Sequence, residues 1–512
     1  MKKRLKVFFT YLGVALISLL MTVVVCAAFL FFYRDGNIFG IQYIKRNEIL
    51  YARSQDVGII DVKGVSVACD DFDVKVDINP YAENISGAMV NKVFGYVHKS
   101  KAHASISAKY DESTGVVVFT VVEPQGWISK KDCYIAIGIP EILVDKNIDV
   151  DVKSVKGDIV VGGKKSIVIN DINVESSKGE VTLTNLDIRH SISANIGSGW
   201  MFVDEKCVTT AGDVDVNIKL GSGIVNFTKV GNFDIGCVKI EKIKSGEIGI
   251  LKAVEVVTDG KISGGGKIQV GEALEVTILT LDTDIKIGTI GAIGSEDALT
   301  SRVDISGNGY VEILRVYSNL EITGHNGDIN IGNAIGSVSL STNQGDIQIS
   351  KAYKNVSIET QYGNARIQFG EEAPQYSKIG GGRSLIASTK NGHVIASGVQ
   401  NANVMIREKG RATLNYDLVR GENSVIAYQI GVIDIVVPYK PDNGNIAINL
   451  QTKSETLPDV KVGTVSSGQA VINDGVYTLD VKNIYGNAGE NTLYVETVTG
   501  NIKIRSRDLV NF

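Results

Sequence analysis

Three consecutive segments decide the fold: GYVEILRVYSNLEITGHN (309–326), GDINIGNAIGSVSLSTNQ (327–344) and GDIQISKAYKNVSIETQY (345–362). Gly309, Gly327, Gly345 and Gly363 fall 18 residues apart, and Gly392 and Gly410 repeat the spacing after a longer interval. Aligned on the glycine, position 3 is Val311, Ile329 and Ile347, and position 5 is Ile313, Ile331 and Ile349. Position 8 is Val316, Ala334 and Ala352; position 12 is Leu320, Val338 and Val356; position 14 is Ile322, Leu340 and Ile358. A spacing of two within each pair is a strand signature, because successive strand side chains point to opposite faces. Each unit therefore predicts two short strands, one inward face on each, and a corner at position 8. One unit cannot bury its apolar face alone, but stacked units can. The fold expected is all-β: a parallel β-solenoid with coils of about 18 residues and strands about 4.8 Å apart.

Working outward, Gly followed by a polar and then a β-branched residue also occurs at Gly157-Asp158-Ile159, Gly179-Glu180-Val181, Gly212-Asp213-Val214 and Gly246-Glu247-Ile248. The glycine suits a turn at positive φ, and Asp or Asn beside it can cap neighbouring backbone. Recurrence without a Pro- or Ser-rich linker predicts one stacked array. The interval between Gly363 and Gly392 is 11 residues over the unit and holds Pro374 and Gly380-Gly381-Gly382, so a loop is expected there. Strand patterns in 57–137 are irregularly spaced and read as an N-terminal β cap. Repeats proper are expected over 138–437, and a closing β cap over 438–512.

The N-terminus has a different character. Residues 7–33 carry no charge, between Lys6 and Arg34. At about 1.5 Å per helical residue, this run exceeds a hydrocarbon core of about 30 Å. Its length predicts an uncleaved transmembrane signal anchor. Lys2, Lys3, Arg4 and Lys6 precede it, leaving 48 bases against 57 acids beyond it. The positive-inside rule then makes 1–6 a cytoplasmic tail and 34–56 a juxtamembrane stalk. A single-pass cell-membrane protein is expected, its C-terminal part extracellular or periplasmic and its first partner the lipid bilayer.

Composition narrows the function. The net charge of −5 offers no field for nucleic acid. The 44% apolar and 21% charged fractions argue against disorder. Cys26, Cys69, Cys133, Cys207 and Cys237 form no CxxC motif; the last four could pair in an oxidising space or pack as small buried hydrophobes. Residues 260–267 (GKISGGGK) miss the phosphate-loop glycine spacing, and Ile268 stands where a Ser or Thr is needed. There is no GxSxG elbow, and His98, His103, His190, His325 and His393 are scattered. Asp328 and Asp346 stack on adjacent coils, as weak candidates for a metal or an acid pair, but no base shares their column. No enzyme, resident metal or cofactor is expected. Tyr353 and Tyr362, at corner and turn positions, are candidate surface-binding residues.

A resemblance adds to this. Ile139-Pro140, the alternating 148–152, and Gly157-Asp158-Ile159-Val160-Val161 form a pattern echoed by Val437-Pro438 to Gly444-Asn445-Ile446 and by Leu493 to Thr497 before Gly500-Asn501-Ile502. Over residues 57–512 the chain resembles the bacterial "putative adhesin" β-strand-repeat family, whose molecular function is unknown. The 18-residue unit also resembles the shorter, soluble, polymer-forming bactofilin-like solenoids. Those likenesses imply a surface rod displaying a binding or adhesion face to a glycan or protein. A self-assembling envelope element is the alternative, and a cell-wall polysaccharide lyase or hydrolase a minor one.

Overall fold

The strands of residues 311–369 lie in two parallel ladders, one on each side of a shared apolar interior. The first ladder takes Val311–Val316, Ile329–Ala334, Ile347–Ala352 and Ala365–Phe369. The second takes Asn319–Asn326, Val338–Gln344 and Val356–Tyr362. Register follows the repeat: Ile329 pairs with Ile347 and Ile331 with Ile349, while Leu340 pairs with Ile358. All five apolar columns of the sequence alignment are buried, at 0–3% exposure. The chain turns earlier than expected, however. Residues 332–333 and 350–351 are both off the core, so the bend occupies positions 6 and 7, and Ala334 and Ala352 point inward after it.

This computed structural model describes residues 62–507 except 71, 79–92, 99–104, 123–133, 141–142, 229–232, 295–298, 371–382, 439–445, 464, 467–468 and 482–490. It also describes 15–16, 18–24, 37–38, 41–42 and 50–51. The described parts of 15–24 are helical, with exposed Leu16, Leu19, Leu20, Met21, Val23 and Val24. Among the described residues no helix is long and apolar enough to cross a membrane. The anchor expected at 7–33 lies largely outside them, and of the interval between Gly363 and Gly392, where a loop is expected, residues 371–382 lie outside them.

The chain divides into two compact units, one mainly up to Val214 and one mainly beyond it. In the first, Val116–Val122, Gly64–Cys69, Ile148–Ser154, Ile167–Ser176 and Leu186–Ile196 lie side by side in parallel, in that spatial order. Tyr134–Ile139, Asp73–Ile78, Ile159–Val161, Glu180–Leu183 and Trp200–Val203 form the companion ladder. The expected N-terminal cap is therefore partly solenoid, with two coils whose spatial order reverses their chain order. Antiparallel strands cover the outer coil: Ser105–Asp111 on Val116–Val122, and Phe94–His98 on Tyr134–Ile139.

In the second unit the far end repeats this device. Glu422–Val437 pairs not with the next strands in sequence but with Asn491–Thr499 and Ile502–Ser506. Those in turn carry Ile446–Thr452 and Asp459–Val462 on their other side. Antiparallel Val476–Val481 and Val465–Ser466 cover that outermost coil. Arg507 ties the inserted coil down: its Nη2 donates to Asn415 Oδ1 at 3.0 Å, to the Tyr416 carbonyl at 2.8 Å and to Asp417 Oδ1 at 2.9 Å.

Coil length is not fixed at 18. Ile159 pairs with Val181, Glu180 with Trp200, Ile285 with Val311 and Val356 with Leu385. Strand register is set by the apolar columns, so the corners are free to absorb extra residues.

The glycine column has a steric cause besides turn conformation. Gly327 and Gly345 have φ of +147° and +146°. A Cβ on either would also overlap the carbonyl oxygen of the glycine one coil before, and the same holds for Gly363, Gly392 and Gly410. Coils stack this closely at the corner only because no side chain intervenes.

Candidate functional site

The Asp column beside these glycines is structural wiring. Asp328 Oδ1 accepts the Asp346 N–H at 2.8 Å, and Asp346 Oδ1 accepts the Asn364 N–H at 2.8 Å. Asn364 Oδ1 accepts the His393 N–H at 3.1 Å, and in the first unit Asp158 Oδ1 accepts the Glu180 N–H at 2.7 Å. Each side chain thus caps the following coil. Asp328 and Asp346 do stack as the sequence suggests, and one oxygen of each is committed to backbone.

Tyr353 and Tyr362 are not brought together. Tyr353 precedes the strand Val356–Tyr362 and Tyr362 ends it, across an extended length of about 20 Å. Tyr362 is 44% exposed, with Lys390 Nζ 5.6 Å from its ring centre. Tyr353 is only half-exposed, with Lys351 Nζ 5.8 Å away. Both carry a cation over the ring, as Tyr310 does with Lys286 at 5.8 Å. Hydrogen bonding to Glu408 holds the Lys390 ammonium above its usual range. These are separate surface pairs on different corners.

Residues 260–267 are no phosphate loop. From Ile262 onward they run into a long strand, and Lys267 pairs with Glu247 across the ladder. In the first unit His190, Asp171 and Ser191 meet: His190 Nδ1 lies 2.6 Å from Asp171 Oδ1, and Ser191 Oγ donates to the same oxygen at 2.5 Å. A serine nucleophile needs its hydroxyl on the histidine, and here it is on the carboxylate. Cys69, Cys207 and Cys237 are free thiols. Burial pushes Cys207 up to about 11, and Cys237 rises to about 11 through desolvation and the nearby Glu255 and Asp215, so neither thiol is activated at neutral pH.

A shallow groove of about 390 Å³ lies on the outer face of the second ladder. Its lining repeats coil by coil: Thr300, then Asn319 and Glu321, Ser337 and Ser339, Asn355 and Ser357, and finally Ser384 and Ile386. Thr300 pairs with Asn319, and Leu320, Val338, Val356 and Leu385 follow one another in register beneath. Five coils at about 4.8 Å give a groove about 19 Å long. Asn319 Oδ1 accepts the Ser337 N–H at 3.2 Å. The side chains of Glu321, Ser339, Asn355 and Ser357 have no hydrogen-bond partner among the described residues. Elsewhere this surface is cross-linked: Ser424 Oγ donates to Asn403 Oδ1 at 2.9 Å, and Arg407 pairs with Glu359 at 3.3 Å. The sequence held a signal for the groove. Positions 11 and 13 of the aligned units are Asn319, Ser337, Asn355 and Glu321, Ser339, Ser357, short polar columns beside the apolar column at position 12.

With this architecture in view, the chain belongs to the Toastrack family DUF4097, whose model matches residues 71–379, more than half of the chain. No curated protein matches it. Among solved structures, one described as a "putative cell adhesion protein" from Clostridium sporogenes ATCC 15579 is similar at 8% identity. That match covers 87% of this chain and 94% of the other, with a TM-score of 0.12. The resemblance drawn from the Gly-Asp-Ile pattern is thus met at the level of a solenoid-like family of unknown function.

Proposed function

We propose that this protein is a membrane-anchored, extracytoplasmic β-solenoid that displays a binding or adhesion surface. Residues 7–33 hold it in the bilayer with the N-terminus in the cytoplasm, and residues 34–512 stand outside. The observation that carries the reading is the groove: Glu321, Ser339, Asn355 and Ser357 have no side-chain hydrogen-bond partner among the described residues, whereas Asn403 and Ser424, farther along the column of Ser357, are bonded to each other. Such groups have their hydrogen bonds available for a ligand. Polymerisation by stacking of ends is the weaker reading, since antiparallel strands lie on the outer coil of each unit and replace the parallel edge that a like coil would continue.

Two measurements test the proposal. A cysteine placed near residue 512 is treated with a membrane-impermeant thiol reagent on intact cells; labelling only after lysis would sink the outward orientation. Beads carrying the full chain in lipid are then incubated with whole cells. Retention above that of beads bearing lipid alone supports display, and equal retention counts against it.

A further inference from the structure

The groove also constrains what it can hold, and this inference rests on the display reading above. It lies on the face of a ladder, where coil-to-coil pairing already uses the backbone N–H and C=O groups. An added peptide strand needs a free edge, so it has no main-chain partners here. Nucleic acid needs cations against its phosphates, and the lining contains no Lys or Arg. Glu321 is its one charged side chain and disfavours an anionic chain of any kind. What remains is a row of hydroxyls and carboxamides over an aliphatic floor of Leu320, Val338 and Val356. Serine hydroxyls and asparagine amides both donate and accept, which is the pattern that matches sugar hydroxyls. The coil spacing presents these groups at regular intervals, as a linear polymer would require. Ile386, 56% exposed at one end, offers an apolar seat for the C–H face of a ring.

We propose that the groove of Asn319, Glu321, Ser339, Asn355, Ser357 and Ile386 is a binding site for an uncharged linear glycan lying across the coils. The chain runs along the stacking direction, bridging successive coils.

Isothermal titration of the full chain in detergent, with cellohexaose, chitohexaose and anionic oligogalacturonate as probes, tests this. A neutral hexasaccharide is expected to bind, and oligogalacturonate to bind at least tenfold more weakly. The double variant Asn355→Ala/Ser357→Ala is expected to weaken neutral binding at least tenfold. Ser424→Ala, on the same face but outside the groove, is expected to leave it unchanged. Failure of both neutral sugars to bind overturns the site, as does binding that the double variant leaves intact. Far-ultraviolet circular dichroism of each variant confirms that the ladders are intact. Cell retention measured alongside separates the two proposals: retention without oligosaccharide binding removes the glycan site and leaves display standing, and loss of both removes both.

Discussion

Alanine at three glycines of the second unit separates the two reasons for the glycine column. Gly260 has φ +69° and open space within 4 Å of where a Cβ would stand, so Gly260→Ala meets backbone strain alone. Left-handed conformation costs an L-residue about 1–2 kcal/mol, offset by about 0.4–1 kcal/mol from the stiffer unfolded chain. The expected net loss is below about 1.5 kcal/mol. At Gly363 no left-handed φ is required, but the new Cβ falls under 3.0 Å from the Gly345 carbonyl oxygen, a backbone atom held by the ladder. Separating coils to admit a methyl group is overpacking, about 1–3 kcal/mol. Gly345 combines both, with φ +146° and the Gly327 carbonyl in the way, for roughly 1–4.5 kcal/mol. At about 2–4 °C per kcal/mol, Gly345→Ala should lower Tm by about 2–18 °C, Gly363→Ala less and Gly260→Ala least. Thermal melts followed by circular dichroism of the full chain read this order directly. If Gly363→Ala melts with the parent protein, coil-to-coil crowding is not what keeps the column glycine.

Three further outcomes follow from side chains already placed. Ile331→Asp puts an unpaired charge at a site 1% exposed and should cost several kcal/mol, whereas Asn330→Asp on the outward side should shift the urea midpoint little; equal losses would mean the strand phase is wrong. Tyr416 is fully buried, desolvation raises its pKa steeply, and its hydroxyl has no partner among the described residues, so Tyr416→Phe should match or exceed the parent by about 1 kcal/mol, and a clear loss in the melt would reveal a hidden partner. Burial favours the neutral form of Asp187, but hydrogen bonds from Thr210 and Arg189 outweigh it and hold the carboxyl below its ordinary value. A depressed carboxyl contributes stability that is present above the unfolded-state pKa and lost as pH falls through the folded one, so the first unit should weaken below about pH 4. Asp187→Asn should flatten that acid limb in urea titrations, and an unchanged limb would contradict the assignment.

The regular coils were legible because apolar columns at positions 3, 5, 8, 12 and 14 coincide with the Cα pairings of neighbouring strands. The glycines were readable as turns, but not as a stacking requirement, since contact across 18 residues appears only once the coils are assembled. The order of the terminal coils was hidden. Ile446, Ile448 and Leu450 alternate as Leu493, Val495 and Thr497 do, so either stretch could continue the column of Val425 and Ala427. The groove was equally quiet, because Ser and Asn on an outward face look the same whether solvated or poised for a ligand. Only the lack of cross-links around Ser339, Asn355 and Ser357 distinguishes them.

The crossed order of coils beyond Glu422–Val437 bears on how the molecule is made. Residues 446–462 are synthesised before 491–506, yet they rest on the later segment. While the chain emerges, the edge of Glu422–Val437 has two candidate occupants, and the earlier arrival offers a similar alternation of apolar residues. Correct assembly therefore requires that this premature docking be reversible, or that the Val476–Val481 hairpin form on Ile446–Thr452 first and keep it waiting. Arg507 grips Asn415, Tyr416 and Asp417 only when the late segment has taken its slot, so these bonds form only once the coils stand in the right order.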